Sequence, residues 1–460
     1  MLSSALPFMS DPLAENLVAK TWSGPLTPPQ SIPSSADVVI IGGGIVGIST
    51  AWFLAKQGVE VVVCEKGHIA GEQSGRNWGW VRQQGRDSRE MPMIIESMRI
   101  WRGLEDEIGE DVGYCEHGVL YAATTDRQMN RYAGRVETAD EYGIGTRMID
   151  ARELAQHVPG GRGNWKGALY TATDGRAEPH IATPAIARAA VRSGATVLSS
   201  CAVRGIEASG GKVSSAVTEH GVIKTSIVLC AGGAWTSMFC RSLGITVPQL
   251  KIHGTVARTA PSDILLEGNL YDDRIGIRRR QDGGYTLALG TNLNYPITPS
   301  TFRFGMKYLR AFLMDMGSVR VSIGRDFVEE WSAPKTWSLE TESPFEKSRV
   351  LDPKPNQRVL RNIRHNVDKI FPQLAGVKIV ESWAGMIDTT PDVIPVIDQA
   401  ASLPGFYIAT GFSGHGFGIG PGAGKAIAGM LTNTDSGIDL SEFQLSRFFD
   451  GTPIRPQSSV

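Results

Sequence analysis

A run of closely spaced glycines near the N-terminus follows a short apolar segment. Residues 42–47 read GGGIVG, which fits the pattern GxGxxG, and the run Asp37–Ile41 before them is rich in β-branched residues, as a buried strand would be. Glycines at this spacing allow a tight turn and let the backbone approach a pyrophosphate, whose oxygens the N–H groups of a following helix can bind. The segment therefore predicts a dinucleotide-binding turn. Its cofactor-binding residues are Gly42, Gly44, Ile45, Val46 and Gly47.

An acidic residue stands where such a turn requires one. Residues 45–57 have the apolar spacing of a helix, and residues 59–65 form a second apolar run that ends in Glu65. The segments make a β-α-β unit of about 30 residues, in which an acidic side chain at the end of the second strand accepts hydrogen bonds from ribose hydroxyls. We predict that Glu65 and the adjacent Lys66 belong to the cofactor site.

Further segments rich in glycine, tryptophan and small residues are spread over the rest of the chain. They are residues 71–80 (GEQSGRNWGW), 174–179 (DGRAEP), 201–203 (CAV), 229–235 (LCAGGAW), 383–392 (WAGMIDTTPD) and 405–418 (GFYIATGFSGHGFG). Together they resemble the D-amino acid oxidase, glycine oxidase and sarcosine oxidase superfamily of flavoproteins. The resemblance selects FAD as the cofactor, because the glycine turn alone does not distinguish FAD from NAD.

The resemblance also assigns the remaining cofactor contacts. In the family, a loop after the second strand wraps the flavin, a short segment meets the adenine, a glycine turn lies near the phosphates, and C-terminal segments run along the flavin ring. The matching residues are, in that order, Ser74, Arg76, Asn77, Trp78, Gly79 and Trp80; Val203; Ala231, Gly232 and Trp235; and Gly385, Gly414, His415, Gly416, Phe417 and Gly418. A helix predicted at residues 423–431 would point its N-terminus at the pyrimidine end of the flavin.

Three departures from the family bear on flavin attachment, substrate binding and the electron acceptor. Gly385 stands where monomeric sarcosine oxidase has the cysteine that bonds the flavin, so non-covalent FAD is predicted. Gly418 stands where that enzyme has a lysine that binds the substrate carboxylate. The family's oxygen-activating lysine has no counterpart in residues 252–274, and Lys251 is a doubtful substitute, so both oxygen and a quinone remain candidate acceptors.

A cluster of arginines offers a replacement for the missing substrate-binding lysine. Residues 275–284 (IGIRRRQDGG) resemble the family's strand and turn in this region, which implies Arg280 as the carboxylate ligand. On a strand, Arg278 shares a face with Arg280, and Arg279 lies on the opposite face. A planar guanidinium can bind a carboxylate through two parallel hydrogen bonds. His415 is a further candidate substrate contact.

The order of apolar segments predicts an α/β protein, α+β overall, with an FAD-binding Rossmann-like domain and a mixed, largely antiparallel substrate-binding domain. The β-α-β rhythm is lost after residue 86 and returns near residue 370. The predicted boundaries are 1–35 for an N-terminal arm; 36–86, 170–245 and 366–435 for a discontinuous FAD-binding domain; 87–169 and 246–365 for the substrate-binding domain; and 436–460 for a C-terminal tail.

Composition argues against several classes of function. Lys plus Arg is 46 and Asp plus Glu is 47, a net charge of −1, so no broad basic surface for nucleic acid is expected. The five cysteines are scattered without metal-binding spacing, which predicts reduced thiols in a cytoplasmic protein that binds no metal. We recognise neither a signal peptide nor an apolar run long enough for a transmembrane helix. The sequence does not indicate the oligomeric state.

The resemblance implies an FAD-dependent oxidoreductase that oxidises the C–N bond of an amino acid or a secondary amine. Hydride would pass to flavin N5 and the imine would then hydrolyse; we nominate no general base, because this chemistry depends on orientation and an unprotonated amine. Glycine, sarcosine, D-amino acids, cyclic imino acids and imino-diacids are all candidate substrates. The alternatives are an FAD-dependent RNA-modifying methyltransferase, which the neutral charge disfavours, and the flavoprotein subunit of a hetero-oligomeric dehydrogenase.

Overall fold

The computed structural model describes residues 31–290, 293–314 and 319–456. Its helices are α1 (Ile45–Lys56), α2 (Gln73–Arg76), α3 (Met91–Ile108), α4 (Asp126–Glu141), α5 (Ala151–His157), α6 (Pro179–Arg192), α7 (Thr236–Ser242), α8 (Pro299–Met314), α9 (Arg325–Ser332), α10 (Pro344–Lys347), α11 (Gln357–Ile370) and α12 (Gly416–Thr432). Short 3-10 turns cover Ser88–Glu90, Gly233–Trp235, Pro372–Leu374, Ser441–Phe443 and Leu445–Phe448.

The strands are β1 (Val38–Ile41), β2 (Val61–Cys64), β3 (Trp80–Val81), β4 (Cys115–Glu116), β5 (Val119–Ala123), β6 (Thr146–Asp150), β7 (Gly167–Thr171), β8 (Gly175–Arg176), β9 (Thr196–Leu198), β10 (Val203–Ser209), β11 (Lys212–Thr218), β12 (Gly221–Lys224), β13 (Ile227–Cys230), β14 (Leu250–Thr259), β15 (Asn269–Asp272), β16 (Ile275–Arg279), β17 (Tyr285–Ala288), β18 (Leu293–Pro296), β19 (Val319–Ser322), β20 (Ile379–Thr389), β21 (Val396–Gln399) and β22 (Phe406–Thr410). They form two large sheets and two small ones, one of β10, β11 and β12 and one of β3, β8 and β4.

The first large sheet is the Rossmann-like one and has the strand order β21-β22-β13-β1-β2-β9. Its neighbouring strands are parallel except for β21 and β22. The central strand β1 is apolar throughout, because α1, α3, α6 and α12 pack on one face of the sheet and β10–β12 with α7 pack on the other. The predicted Rossmann-like unit is confirmed.

The second large sheet has the path β19-β18-β14-β17-β16-β15-β5-β7-β6, with β20 paired to β14. Its pairs are antiparallel apart from β5 with β15 and β18 with β19. One face packs on α11 through Ile277, Leu287, Ile363 and Val367. The predicted mixed, largely antiparallel sheet is confirmed, and its other face turns toward the first sheet through Tyr121 and its neighbours.

Segments of the chain alternate between the two sheets, which is what a discontinuous FAD-binding domain requires. β20 lies within the predicted FAD-binding stretch 366–435, yet it pairs along its length with β14 of the second sheet. The exact boundaries remain a prediction. Residues 1–30 of the predicted N-terminal arm and residues 457–460 of the predicted tail lie outside the described residues. Within the tail, Phe443 and Phe448 are buried.

The C-terminal helix differs from its predicted bounds. We predicted a helix at 423–431 because the glycines and Pro421 before it are typical of a turn; α12 instead begins at Gly416. Its glycines permit a close crossing of α1: a Cβ at Gly420 would lie 2.7 Å from the Ile45 side chain, and one at Gly424 would lie 2.5 Å from Ser49 Cβ. Tertiary packing therefore extends the helix through residues of low helix propensity.

In the part of the chain that the structure describes, no helix has both the length and the apolar character needed to cross a bilayer.

Candidate active site

The glycine turn closes over the carboxyl end of β1. Gly42 has a φ of +111°, and a Cβ there would lie 2.5 Å from the carbonyl oxygen of Ala231 after β13. A Cβ at Gly47 would lie 2.2 Å from the carbonyl oxygen of Gly42. Both positions therefore require glycine. The Ile45 N–H at the start of α1 donates to Ser74 Oγ at 2.9 Å. The turn thus brings a helix N-terminus to the sheet edge where α/β proteins bind phosphates.

Glu65 lies at the end of β2, facing the same turn. Its carboxylate accepts hydrogen bonds from the N–H groups of Gly43 and Gly67, both at 2.7 Å. Burial raises the pKa of Glu65, while Lys66 and these two N–H groups lower it. The carboxylate therefore depends on hydrogen-bond donors, which the ribose hydroxyls of a dinucleotide can also supply.

Trp235 forms another part of the cleft wall, together with charged side chains. Lys66 Nζ lies 4.3 Å from the centre of the Trp235 ring and donates to Glu72 at 2.8 Å. Lys251 Nζ lies 5.4 Å from the same ring, and burial lowers the pKa of Lys251. Lys251, the doubtful candidate for oxygen activation, is therefore near Trp235 and the glycine-turn side of the cleft.

One continuous cleft, with about 1280 Å³ of empty space, runs between these elements. Of the predicted cofactor residues, it is lined by Gly42, Gly44, Ile45, Val46, Glu65, Lys66, Ser74, Asn77, Val203, Ala231, Gly232, Trp235, Gly414, Gly416 and Phe417. The predicted residues outside its wall are Gly47, Arg76, Trp78, Gly79, Trp80, Gly385, His415 and Gly418. Folding therefore gathers most of the separated segments around one space.

Several residues outside the wall support it from behind. Arg76 donates from Nη1 to the carbonyl oxygen of Ala384 at 2.9 Å, which links α2 to β20. A Cβ at Gly385 would lie 2.4 Å from Gln73 Oε1, so this strand passes close against α2. The rings of Trp78 and Trp80 pack 5.6 Å apart, next to the tyrosines of the second sheet.

A strained loop carries the chain from β22 into α12. Ser413 and Gly414 have φ values of 49° and 88°, and α12 begins at Gly416. Asp388 of β20 holds the loop, because its carboxylate accepts the Gly411 N–H at 2.6 Å and its carbonyl oxygen accepts the Ser413 N–H at 3.0 Å. Burial raises the pKa of Asp388, and these donors oppose the rise. The loop aims the N-terminus of α12 at the cleft, where the helix dipole favours negative charge.

His415 lies just behind this loop. Its Nε2 is 3.0 Å from Glu90 Oε1, and both side chains are buried. Burial lowers the pKa of His415, and Arg86 and Arg82 lower it further, while Glu90 raises it. The structure thus places His415 against Glu90 rather than in the cleft wall, so a direct contact with substrate or flavin remains a prediction without a supporting contact.

Arg278 and Arg280 share a strand face, as we expected, but carboxylates already surround them. Arg278 donates to both oxygens of Glu178, at 2.9 and 3.1 Å, and Arg280 donates to Asp282 at 3.0 Å. Burial would raise the pKa of Glu178, yet Arg278 and Arg280 hold it at about 2. Arg279 points to the other face, where its guanidinium stacks 4.9 Å from the Tyr285 ring.

The two buried arginines line a second cavity with about 650 Å³ of empty space. Its wall also includes Arg76, Arg258 and Glu381. Helix α2 separates the cavities: Gln73 and Ser74 face the cleft, whereas Gly75 and Arg76 face the second cavity. Arg280 therefore lies across α2 from the cofactor cleft.

Another arginine pair, which our sequence analysis did not single out, lies beside the N-terminus of α12. A Cβ at Gly418 would meet the backbone of Trp80 at 3.1 Å and of Arg82 at 3.5 Å, so Arg82 follows a strand that runs along the first turn of α12. Arg86 Nε donates to the Arg82 carbonyl oxygen at 3.2 Å. The Arg82 guanidinium stacks 5.4 Å from the Tyr121 ring of the second sheet.

Arg86 is a buried cation without an ion pair. Among the described residues no carboxylate forms a salt bridge with Arg86 or Arg82, and Arg86 Nη1 is buried without a hydrogen-bond acceptor. Burial and the neighbouring Arg82 lower the pKa of Arg86 to about 9. The sequence signal was present, because both arginines directly follow the tryptophan-rich segment, but the missing carboxylate is visible only in the folded protein.

Comparison with known proteins identifies the family. A family model described as "FAD dependent oxidoreductase" matches residues 37–430, most of the chain. The chain belongs to this family. It is an FAD-dependent oxidoreductase, and the resemblance stated from the sequence is confirmed. The cleft fits FAD on the chain's own evidence, because its wall combines a glycine turn, a buried acceptor in Glu65 and the N-terminal turns of α1 and α12.

Three relatives of this FAD-dependent oxidoreductase indicate its nearer surroundings. The mitochondrial sarcosine dehydrogenase of Mus musculus is 27% identical over 92% of this chain and 42% of its own length. Sarcosine oxidase subunit beta of Arthrobacter sp is 24% identical over 91% of this chain and 92% of its own. The structure of L-amino acid deaminase from Proteus myxofaciens superposes with a TM-score of 0.88, at 33% identity, covering 92% of this chain and 95% of that one. The chain thus spans less than half of the sarcosine dehydrogenase.

We expect the FAD to be bound without a covalent bond. Gly385 offers no side chain for a bond to the flavin, and residues 71–80 contain neither cysteine nor histidine. When the yellow holoenzyme is precipitated with acid, all of the flavin should remain in the supernatant and should be FAD by chromatography. Yellow colour that stays in the washed precipitate would contradict this prediction.

Proposed function

We propose that the protein oxidises the C–N bond of a small amine that carries a carboxylate, the class that includes amino acids and N-methyl amino acids. The observation that carries the proposal is the Arg82–Arg86 pair, which lies beside the first turn of α12 and has no carboxylate partner among the described residues. Two adjacent cations in a buried position are costly unless an anion joins them. A substrate carboxylate is an anion of the right kind.

The chemistry of the site agrees with such a ligand. A guanidinium presents paired N–H donors that match the two oxygens of a carboxylate. The N-terminus of α12 adds a partial positive charge on the same side. Trp80 and Tyr121, which adjoin Arg82, provide an aromatic surface for an apolar substituent. The carboxylate would then fix the orientation of the neighbouring C–N bond.

When bound, FAD supplies the hydride acceptor for this oxidation. The protein residues supply orientation and exclusion of water, because a cation pair holds one end of the substrate while buried aromatic side chains cover the other. We assign no general base. His415 and Glu90 are hydrogen-bonded to each other and buried behind the loop, so the amine is expected to arrive in its unprotonated form.

The sequence-based candidate for the same role, Arg280, stays a prediction. Its charge is already matched by Asp282 and, at 3.9 Å, by Glu178, so an additional carboxylate would gain less there than beside Arg86. If the substrate binds in the second cavity, Arg280 is its ligand and Arg278 the second choice. The two arginine sites therefore make different predictions for the same binding assay.

The reaction class can be tested by reducing the flavin without oxygen. The holoenzyme is mixed anaerobically with glycine, sarcosine, L- and D-amino acids, proline, iminodiacetate and matched amines that lack the carboxylate. We expect the yellow colour to bleach with at least one carboxylate-bearing amine and to persist with its decarboxylated counterpart. Bleaching by the simple amine alone would overturn the carboxylate proposal, and no bleaching by any C–N compound would overturn the reaction class.

The same experiment addresses the electron acceptor. After bleaching, air is admitted to one sample and a soluble quinone is added to another under nitrogen. Rapid return of the colour in air indicates an oxidase, and return only with the quinone indicates a dehydrogenase. Both acceptors remain open in our proposal, because Lys251 lies beside Trp235.

A second candidate function is the flavoprotein subunit of a hetero-oligomeric enzyme. One observation favours it: the Arthrobacter relative, which this chain covers almost completely, is named as a beta subunit. Isolation of the tagged chain from its native host, followed by mass spectrometry, should then recover other chains in fixed proportion. A chain that turns over substrate when produced alone would exclude an obligatory partner.

A further inference from the structure

Helix α8 is apolar on two opposite faces, although only one of them packs on the protein. Phe304 and Tyr308 are buried, next to Leu250 of the second sheet. On the far side of the helix, Phe302 and Met306 are 74% and 84% exposed. A helix that is apolar all round is normally enclosed on all sides. The outer face of α8 therefore needs an occupant.

The exposed apolar side chains continue beyond this helix. Of the fifteen most exposed large apolar side chains among the described residues, ten lie between residues 302 and 331. They are Phe302, Met306, Leu309, Phe312, Leu313, Met314, Val321, Ile323, Val328 and Trp331. α9 adjoins α8, since the Ser300 N–H donates to Glu330 at 2.7 Å. We call these ten residues the apolar face; a concentration of this kind marks an interaction site.

Basic residues flank the apolar face along α8. The helix contains Arg303, Lys307 and Arg310 and no acidic residue. At 100° per residue these three lie on one flank, between the buried and the exposed stripes. Arg303 bonds the Thr246 hydroxyl and Arg310 bonds the Ile454 carbonyl oxygen, so neither charge is cancelled by a carboxylate. An apolar stripe bordered by cations is complementary to a surface that is apolar inside and anionic outside.

We propose that the apolar face docks the protein on an anionic lipid surface, with α8 lying in the plane of the interface. Helices that bind this way bury their apolar side chains among the acyl chains while their Lys and Arg contact anionic headgroups. Trp331 is 74% exposed, and tryptophan favours the boundary between acyl chains and headgroups. The proposal is independent of the reaction proposed above, because it rests on the surface alone.

Vesicle flotation of the full-length holoenzyme tests the docking. The probes are vesicles of phosphatidylcholine alone and of phosphatidylcholine mixed with phosphatidylglycerol. We expect the wild-type protein to float with the mixed vesicles and to be released by high salt only in part, because the apolar contribution is not screened. The double substitution Phe302→Ser/Met306→Ser should weaken binding at least about tenfold, given the loss of two large apolar side chains.

Two further variants separate the apolar and charge contributions. Val191→Ser/Val222→Ser removes two exposed apolar side chains elsewhere and should leave flotation unchanged. Arg303→Gln/Arg310→Gln should weaken binding to the mixed vesicles and leave the weak binding to phosphatidylcholine alone as it was. The visible flavin spectrum and the thermal midpoint of every variant are compared with wild type, so that a folding defect is recognised.

Three results would overturn the proposal. The first is the absence of flotation with mixed vesicles. The second is flotation that the Phe302→Ser/Met306→Ser variant retains in full. The third is a wild-type dimer in sedimentation velocity that this variant dissociates, without any vesicle binding, because the apolar face would then belong to a second copy of the chain.

Discussion

The substitution Glu178→Gln is expected to lower the free energy of unfolding by about 3–5 kcal/mol, the usual cost of removing one partner from a buried ion pair. Glu178 lies within 4.0 Å of three arginines: it is hydrogen-bonded to Arg278, 3.8 Å from Arg176 and 3.9 Å from Arg280. It also accepts the Gln281 N–H at 2.8 Å. Glutamine has nearly the same shape but no charge, so the buried cations would lose their shared counter-ion.

Urea unfolding of the holoenzyme, followed by tryptophan fluorescence at fixed FAD concentration, measures this loss. FAD must be held constant because its binding stabilises the native state. Glu153→Gln is the matched control, since Glu153 pairs with Arg147 at the surface and should give no measurable change. The double substitution Glu178→Gln/Arg278→Met should recover part of the loss, because it also removes a stranded buried charge. A Glu178→Gln midpoint equal to wild type would contradict the prediction.

The same pair predicts a dependence on pH. The pKa of Glu178 is about 2 in the folded protein against an ordinary value of 4.5, so the native state holds the carboxylate more strongly in its ionised form. The stabilisation from Glu178 is then complete above pH 4.5 and is lost as the pH falls toward 2. The difference in stability between wild type and Glu178→Gln should therefore shrink on acidification below that range.

Replacement of Arg86 by methionine is expected to weaken carboxylate binding by about 30-fold or more without lowering stability. Truncating one partner of a desolvated charge pair costs about 2–5 kcal/mol, and 1.4 kcal/mol is a factor of ten. In the absence of ligand, Arg86 is buried with no ion-pair partner among the described residues, so an apolar side chain of similar length should be tolerated. A residue with only a structural role would show the opposite pattern.

Anaerobic flavin bleaching at increasing concentrations of the best substrate gives the binding constant, and thermal unfolding gives the stability. Val191→Ser, a substitution remote from the site, serves as the control for binding. If the carboxylate is instead bound in the second cavity, Arg280→Ala carries the loss and Arg86→Met does not. In that case Arg280→Lys should restore only part of the affinity, because an ammonium keeps the charge but not the paired donors.

The local features of this protein could be read from its sequence. The strand β1, the glycine turn, the helix α1 and the acidic end of β2 lie within 30 residues of one another, and each is specified by side chains close in the chain. The alternation of parallel and antiparallel segments likewise predicted both sheets. Short-range sterics and apolar periodicity suffice for these elements, because their neighbours in space are also their neighbours in sequence.

The tertiary structure alone decided which charges are paired. Glu178 and Arg278 are 100 residues apart in the chain, and His415 and Glu90 are 325 apart. Nothing in the sequence distinguishes the arginines that receive a carboxylate, Arg278 and Arg280, from Arg86, which does not. Coulomb energy and desolvation depend on distance and burial, and those quantities exist only once the sheets have packed. For the same reason α12 begins at Gly416, where contact with α1 outweighs the low helix propensity of its glycines.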